Sequence, residues 1–265
     1  MNYFSNALSP FRPFAFSLFL LFALSPFRLA SQGYEWEYDP RFPQSMPTRF
    51  IGLEFAAQYA MHTGDLAYFE QLVPCCTFSD GTGFPLRLSA VAEQWVTPTL
   101  SVQAGLGVAY QSAEFVSDQQ QAPFEDGTVL VTEYVLQTSI TALSLSGGVR
   151  QRLFDSFFSV GLDLRGNVTI GSAQTLQERV VSPSDFTFTT NPPTQVYDLS
   201  GTMVIPDVAA FVLEPALSFQ YDIALARGSV LSPSVNVSMP LNSLATGQSW
   251  GYLAVGLGVR LSRGF

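Results

Sequence analysis

Residues 253–262 read Leu-Ala-Val-Gly-Leu-Gly-Val-Arg-Leu-Ser. Leu253, Val255, Leu257, Val259 and Leu261 share one parity; Ala254, Gly256, Gly258, Arg260 and Ser262 share the other. Side chains of an extended chain point alternately to opposite faces. The stretch therefore predicts a strand with one wholly apolar face and one face that is small, polar and charged.

The same alternation recurs upstream. Ile51, Leu53, Phe55, Ala57 and Tyr59 alternate with Gly52, Glu54, Ala56 and Gln58. Similar segments cover 84–94, 100–111, 143–149, 158–165, 210–221 and 231–239, which makes eight with 51–59 and 253–262. No helix-period pattern lies between them. Connections near 95–98, 153–156 and 222–229 are short, whereas 61–83, 112–128, 171–205 and 241–249 are long, polar and hold most of the acids.

The second face decides where such strands sit. It carries Glu54, Arg87, Glu93, Asp163, Arg165, Glu214 and Arg260 among Gly, Ala and Ser. A charge facing lipid at mid-bilayer costs about 2–4 kcal/mol. Inside a closed barrel, acids and arginine forks pair instead. Closure is required because an open sheet edge leaves unpaired backbone groups in hydrocarbon. The expected fold is all-β: a transmembrane, antiparallel, up-and-down barrel of eight strands, with short periplasmic turns and long extracellular loops. Eight strands enclose a space that side chains can fill, so the expected interior is plugged. The arginines are expected to pair with the acids there. The count becomes ten if the run 129–151 and the loop 171–205 each add strands. The alternation of 129–151 breaks down near Gln137–Ile140, which suggests one long strand with a bulge. Pro215 and Pro233 fall inside predicted strands, and each removes a ladder donor, so bulges or strand ends are expected there.

Composition agrees. The chain has 265 residues, 47% hydrophobic and only 12% charged, against about 25% charged in an ordinary soluble domain. No apolar run reaches the roughly 20 residues of a spanning helix. Twelve arginines, no lysine and 21 acids give a net charge of −9, which argues against a nucleic-acid partner. Residues 1–33 contain Arg12, Arg28 and an eleven-residue apolar stretch, Phe14–Leu24, and no acid. They read as a secretory signal, cut after Ala30 or Gly33. Residues 34–48 then form a periplasmic lead-in, and 49–265 form the barrel.

The terminal strand carries the most specific local signal. Counting back by two from Phe265 gives Arg263, Leu261, Val259, Leu257, Val255 and Leu253. A terminal aromatic in this register resembles the signal read by the bacterial barrel-assembly machinery. The chain from residue 34 resembles the small outer-membrane β-barrel families, especially eight-stranded barrels like that of outer-membrane protein A. The resemblance lies in pattern, not in identical residues. It implies a place in the cell outer membrane, among its lipids and lipopolysaccharide. The chain is expected to be a monomer with no cofactor and no metal site.

Three functional classes follow. The first is a structural or surface-interaction barrel. The second is a narrow pore for small hydrophilic solutes. The third is a lipid-modifying enzyme using the single histidine, His62, at the outer mouth near Ser79, Asp80, Ser117 or Asp118. No local motif orients a base or a nucleophile there, and no catalytic residue is assigned. The acidic loops lack a calcium-binding pattern. Cys75 and Cys76 are adjacent and are the only cysteines; in an exported chain a vicinal disulfide that stiffens a loop is the expected state.

Overall fold

A computed structural model describes residues 48–70, 73–124, 128–153, 156–190, 192–226 and 228–265. The expected signal, 1–33, and the lead-in, 34–48, lie outside the described residues except for Thr48. The strands are β1 (Arg49–Glu70), β2 (Val73–Gly83), β3 (Leu86–Trp95), β4 (Leu100–Val116), β5 (Gln120–Pro123), β6 (Val129–Arg152), β7 (Phe158–Ser182), β8 (Val196–Asp198), β9 (Phe211–Tyr221), β10 (Ile223–Ala226), β11 (Ser229–Ser238) and β12 (Ser249–Gly264).

Eight of them close a ring in the order β1, β3, β4, β6, β7, β9, β11, β12 and back to β1, every pair antiparallel. The first and last strands meet along an unbroken register from Phe50–Gly264 to Asp65–Ser249. The other four strands pair onto the ring: β2 on β1 and β4, β5 on β6, β8 on β7, and β10 on β11. The barrel count is therefore eight, not ten. The seam between β1 and β12 is tight. A Cβ at Gly256 would lie 2.2 Å from the Ala57 carbonyl oxygen and 2.4 Å from the Gln58 Cα, so glycine permits the approach of the closing strands.

The alternation changes meaning along each long strand. On the lower part of β6, Val149, Leu145 and Leu143 face out while Arg150 and Ser144 face in. Higher up, Gln137 faces out while Ile140, Thr138 and Leu136 face in. On β1 the outward residues run from Ile51 to Met61 and then become Thr63 and Asp65, while Leu66 turns inward. On β4, past Tyr110, Glu114 faces out and Phe115 faces in. Where lipid surrounds the barrel, the apolar face points out. Where water surrounds it, the hydrophobic effect places that face inside. The upper part thus holds an ordinary apolar core that includes Phe78, Phe115, Leu176, Ile205, Leu244 and Trp250.

This corrects three of the expected loops. Residues 61–70 continue β1, 73–83 form β2, 112–116 continue β4, and 171–182 continue β7. The expected bulge in 129–151 is not on β6. The extra residues are Ile170 and Val181 on its partner β7. A single extra residue moves every following side chain to the other face. Accordingly, Arg165 and Asn167 face in below Ile170, whereas Gln174 and Leu176 face in above it.

Neither proline sits at the expected bulge or strand end: Pro215 pairs with Leu164 and Pro233 with Val259 in unbroken register, and each borders a gap in the ladder only on its other side. Pairing of β9 with β11 stops at Ala216–Ser238, and the Pro215 carbonyl accepts from Met239 N–H at 3.4 Å. On β11, pairing with β10 ends at Leu231 and pairing with β9 begins at Ser234. Pro233 lies between the two, so its missing donor faces a gap in the ladder.

Candidate functional site

The inward parity of the lower strands builds three stacked layers of charge. In the layer nearest the short turns, Arg150 bridges Glu93 (Nη1–Oε1, 3.3 Å) and Asp222. Its Nε donates to Ser159 Oγ at 2.7 Å, and Ser232 Oγ donates to Asp222 at 2.6 Å. Arg152 adds a longer approach to Asp222, 3.8 Å, and lies over the Trp95 ring at 4.4 Å. Below it, Phe50 and Val230 close the end of the barrel with Trp95 and Phe157.

In the middle layer Arg260 forks onto Glu54 (Nη2–Oε2, 2.6 Å) and donates from Nη1 to Gln103 Oε1 at 2.8 Å. Gln103 Nε2 in turn donates to Asp163 at 2.6 Å. Asp163 is thus held through an amide relay. The upper layer centres on Glu214. Its Oε1 takes Arg87 at 2.9 Å and Arg165 at 3.0 Å. Its Oε2 accepts from Tyr252 Oη at 2.6 Å and from Asn167 Nδ2 at 3.2 Å. Four donors on one buried carboxylate satisfy both oxygens, as a charge in a low-dielectric setting requires.

All seven residues singled out by parity face the interior: Glu54, Arg87, Glu93, Asp163, Arg165, Glu214 and Arg260. The sequence reading missed Arg150, Arg152 and Asp222. Arg150 and Arg152 extend the inward set of β6, and Asp222 extends that of β9, each just past the alternating segments read as 143–149 and 210–221. With them, five guanidiniums face five carboxylates. Two small voids lie among these layers, one of about 30 Å³ beside Arg87 and Glu214 and one of about 20 Å³ between Glu54 and Arg165. Each has room for one or two waters.

His62 sits one layer higher, at the outer rim of the belt but inside the wall, 1% exposed. Its Nδ1 accepts from Trp250 Nε1 at 3.1 Å, and its ring packs against Tyr252 and Phe115. The structure does not bring it to the expected partners. Ser79 donates to Asp80 on the exposed surface, and Ser117 Oγ accepts from Tyr134 N–H. Cys76 is buried and disulfide-bonded; the Cys75 side chain lies outside the described residues. The Phe265 N–H donates to the Arg49 carbonyl at 3.0 Å, and its ring is exposed.

Outside, Leu53, Leu106, Leu145, Leu162, Phe219 and Leu257 are exposed around the belt, with Tyr59, Phe84, Tyr110 and Phe211 at its upper edge. In water such a surface would be untenable. An apolar outer band, an interfacial aromatic girdle and a charged interior on an even-stranded antiparallel barrel mark the bacterial outer membrane. This chain is an outer-membrane β-barrel.

No protein-family model matches the chain, and no curated protein matches it in sequence. Among solved structures it is similar to neisserial surface protein A, at 11% identity over 81% of this chain and 97% of that one, with a TM-score of 0.36. It is also similar to the outer-membrane protease OmpT of Escherichia coli, at 9% over 82% and 96%, with a TM-score of 0.34. A third is Ail, the attachment invasion locus protein of Yersinia pestis, at 13% over 80% and 97%, with a TM-score of 0.28. Likeness at this level says nothing of what the outer-membrane barrel described here does.

Proposed function

We propose that this outer-membrane barrel is sealed and works through the part that stands above the membrane, in a structural or surface-interaction role. The observation that carries this reading is the stack of paired charges across the interior at membrane level, with two small voids of about 30 and 20 Å³ among them. An eight-stranded barrel has little cross-section to spare, and here arginine forks and their carboxylates occupy it. Above the belt, the strands continue around an apolar core, which gives the outer surface a rigid support. Lipopolysaccharide and lipid are the proposed neighbours of the belt and its rim.

Reading the chain as a pore has less support, because a permeating solute would have to break Arg150–Asp222, Arg260–Glu54 and Arg87–Glu214 in turn. Reading it as a lipid-modifying enzyme also has less support, since His62 is enclosed by aromatic rings and engaged by Trp250. Planar-bilayer recording of the purified, folded chain tests the seal. The expected result is no stable single-channel current. Reproducible ohmic steps would contradict the sealed reading and favour the pore.

A further inference from the structure

The part of the barrel above the membrane contains a cavity of about 320 Å³. Leu66, Leu136, Ile205, Ala245 and Trp250 form the apolar part of its wall, and Gln174 and Gln248 are among its polar lining. The segment from Leu199 to Ala210 lies over it. Met203 exchanges two backbone hydrogen bonds with Gln174, at 2.7 and 2.9 Å; Ala209 N–H donates to Leu244, and Thr246 N–H donates to Asp207. Asp207 holds φ at +54°, a conformation that Asp tolerates better than most residues. Met203 and Asp207 are exposed at the rim, on the outer side.

One polar side chain in the wall is unlike the rest. Gln174 is 7% exposed and lines the cavity, and its carboxamide is not among the buried groups left without a partner, so it is within reach of whatever fills the cavity. An amide at a cavity wall takes its partners from the contents of the cavity, water or a ligand. The Thr138 hydroxyl beside it already reaches toward the Ala113 carbonyl, at 3.4 Å. No arginine lines the cavity, and its one ionisable lining group is the Asp207 carboxylate at the rim. An anion therefore has nothing to pair with.

We propose that this cavity binds a small, uncharged, largely apolar molecule from the outside, through one hydroxyl, carbonyl or amide that pairs with Gln174. A dry aliphatic and aromatic cavity of about 150 Å³ accepts benzene, and this one has about twice that volume. A fused two-ring compound with a single polar group is the matching size. The Trp250 indole forms part of the wall and is fixed by His62, so occupancy is read from its fluorescence.

The test uses the full folded chain in lipid nanodiscs, with empty nanodiscs as the blank, titrated with 2-naphthol, naphthalene and 2-naphthoate. The expected result is saturable, one-to-one quenching by 2-naphthol. Naphthalene should bind about tenfold more weakly, the worth of one neutral hydrogen bond, and 2-naphthoate should not bind. Ala245→Trp should abolish binding by filling the cavity. Gln174→Leu, close in size, should keep the fold and bind naphthalene as well as 2-naphthol. Absence of saturable binding to the intact chain would mean that the cavity holds only water, and would overturn the proposal. So would 2-naphthol binding that Gln174→Leu leaves unchanged.

Discussion

Replacing Glu214 with alanine lowers the stability of the folded barrel by about 3–5 kcal/mol, the usual cost of removing one partner from a buried ion pair. Glu214 is 1% exposed and takes both Arg87 and Arg165 on one oxygen. Alanine leaves two guanidiniums facing each other without a counter-charge, and it leaves the Tyr252 hydroxyl and the Asn167 amide without their acceptor. Bilayer surrounds the wall at this level, so solvation of the exposed charges from outside is poor. Denaturant unfolding of the chain in vesicles measures the loss. Glu214→Gln should lose less, because it keeps an acceptor for Tyr252 and Asn167. A Glu214→Ala variant within about 1 kcal/mol of the parent would contradict the assignment, since exposed pairs are worth no more than that.

Leu145→Arg destabilises the barrel in a bilayer by about 2–4 kcal/mol, the cost of a lipid-facing arginine near the midplane. Leu145 is 65% exposed and pairs across the sheet with Leu106, itself 63% exposed. The same change at Gln137, eight residues along the same strand and on the same face, should cost no more than about 0.5 kcal/mol, as surface substitutions usually do. The contrast between the two positions carries the information. Equal costs would mean that the upper and lower parts of β6 share one surrounding.

The membrane-level fold was legible because its chemistry is periodic. From 51 to 59, and again from 253 to 262, lipid outside and charge inside impose the alternation residue by residue, and all seven charges read from it face inward. What escaped the reading lies where the surroundings change. Above Met61, Tyr110 and Leu143 the apolar side moves from outside to inside, so a strand crossing that level has no constant apolar parity. Residues 171–182 were hidden further by the extra residue at Ile170, which shifts the register of β7. Arg150, Arg152 and Asp222 were not legible because they lie just past the ends of the alternating segments 143–149 and 210–221, where the barrel wall nonetheless continues around them. The cavity was not legible at all. It forms where the segment from Leu199 to Ala210 folds back over strands distant in sequence, and no local pattern encodes that contact.

The central claim is that one face of each long strand meets lipid below and water above. A nitroxide scan along β6 tests it most directly. Single cysteines at 137, 139, 141, 143, 145, 147 and 149, in a background with Cys75 and Cys76 replaced by serine, would be spin-labelled in folded, vesicle-bound protein. Relaxation by oxygen reports lipid, and relaxation by a water-soluble nickel complex reports water. The account predicts oxygen dominance at 143–149 and nickel dominance at 137–141. Nickel dominance along the whole strand would place this face in water throughout and contradict the membrane-spanning barrel.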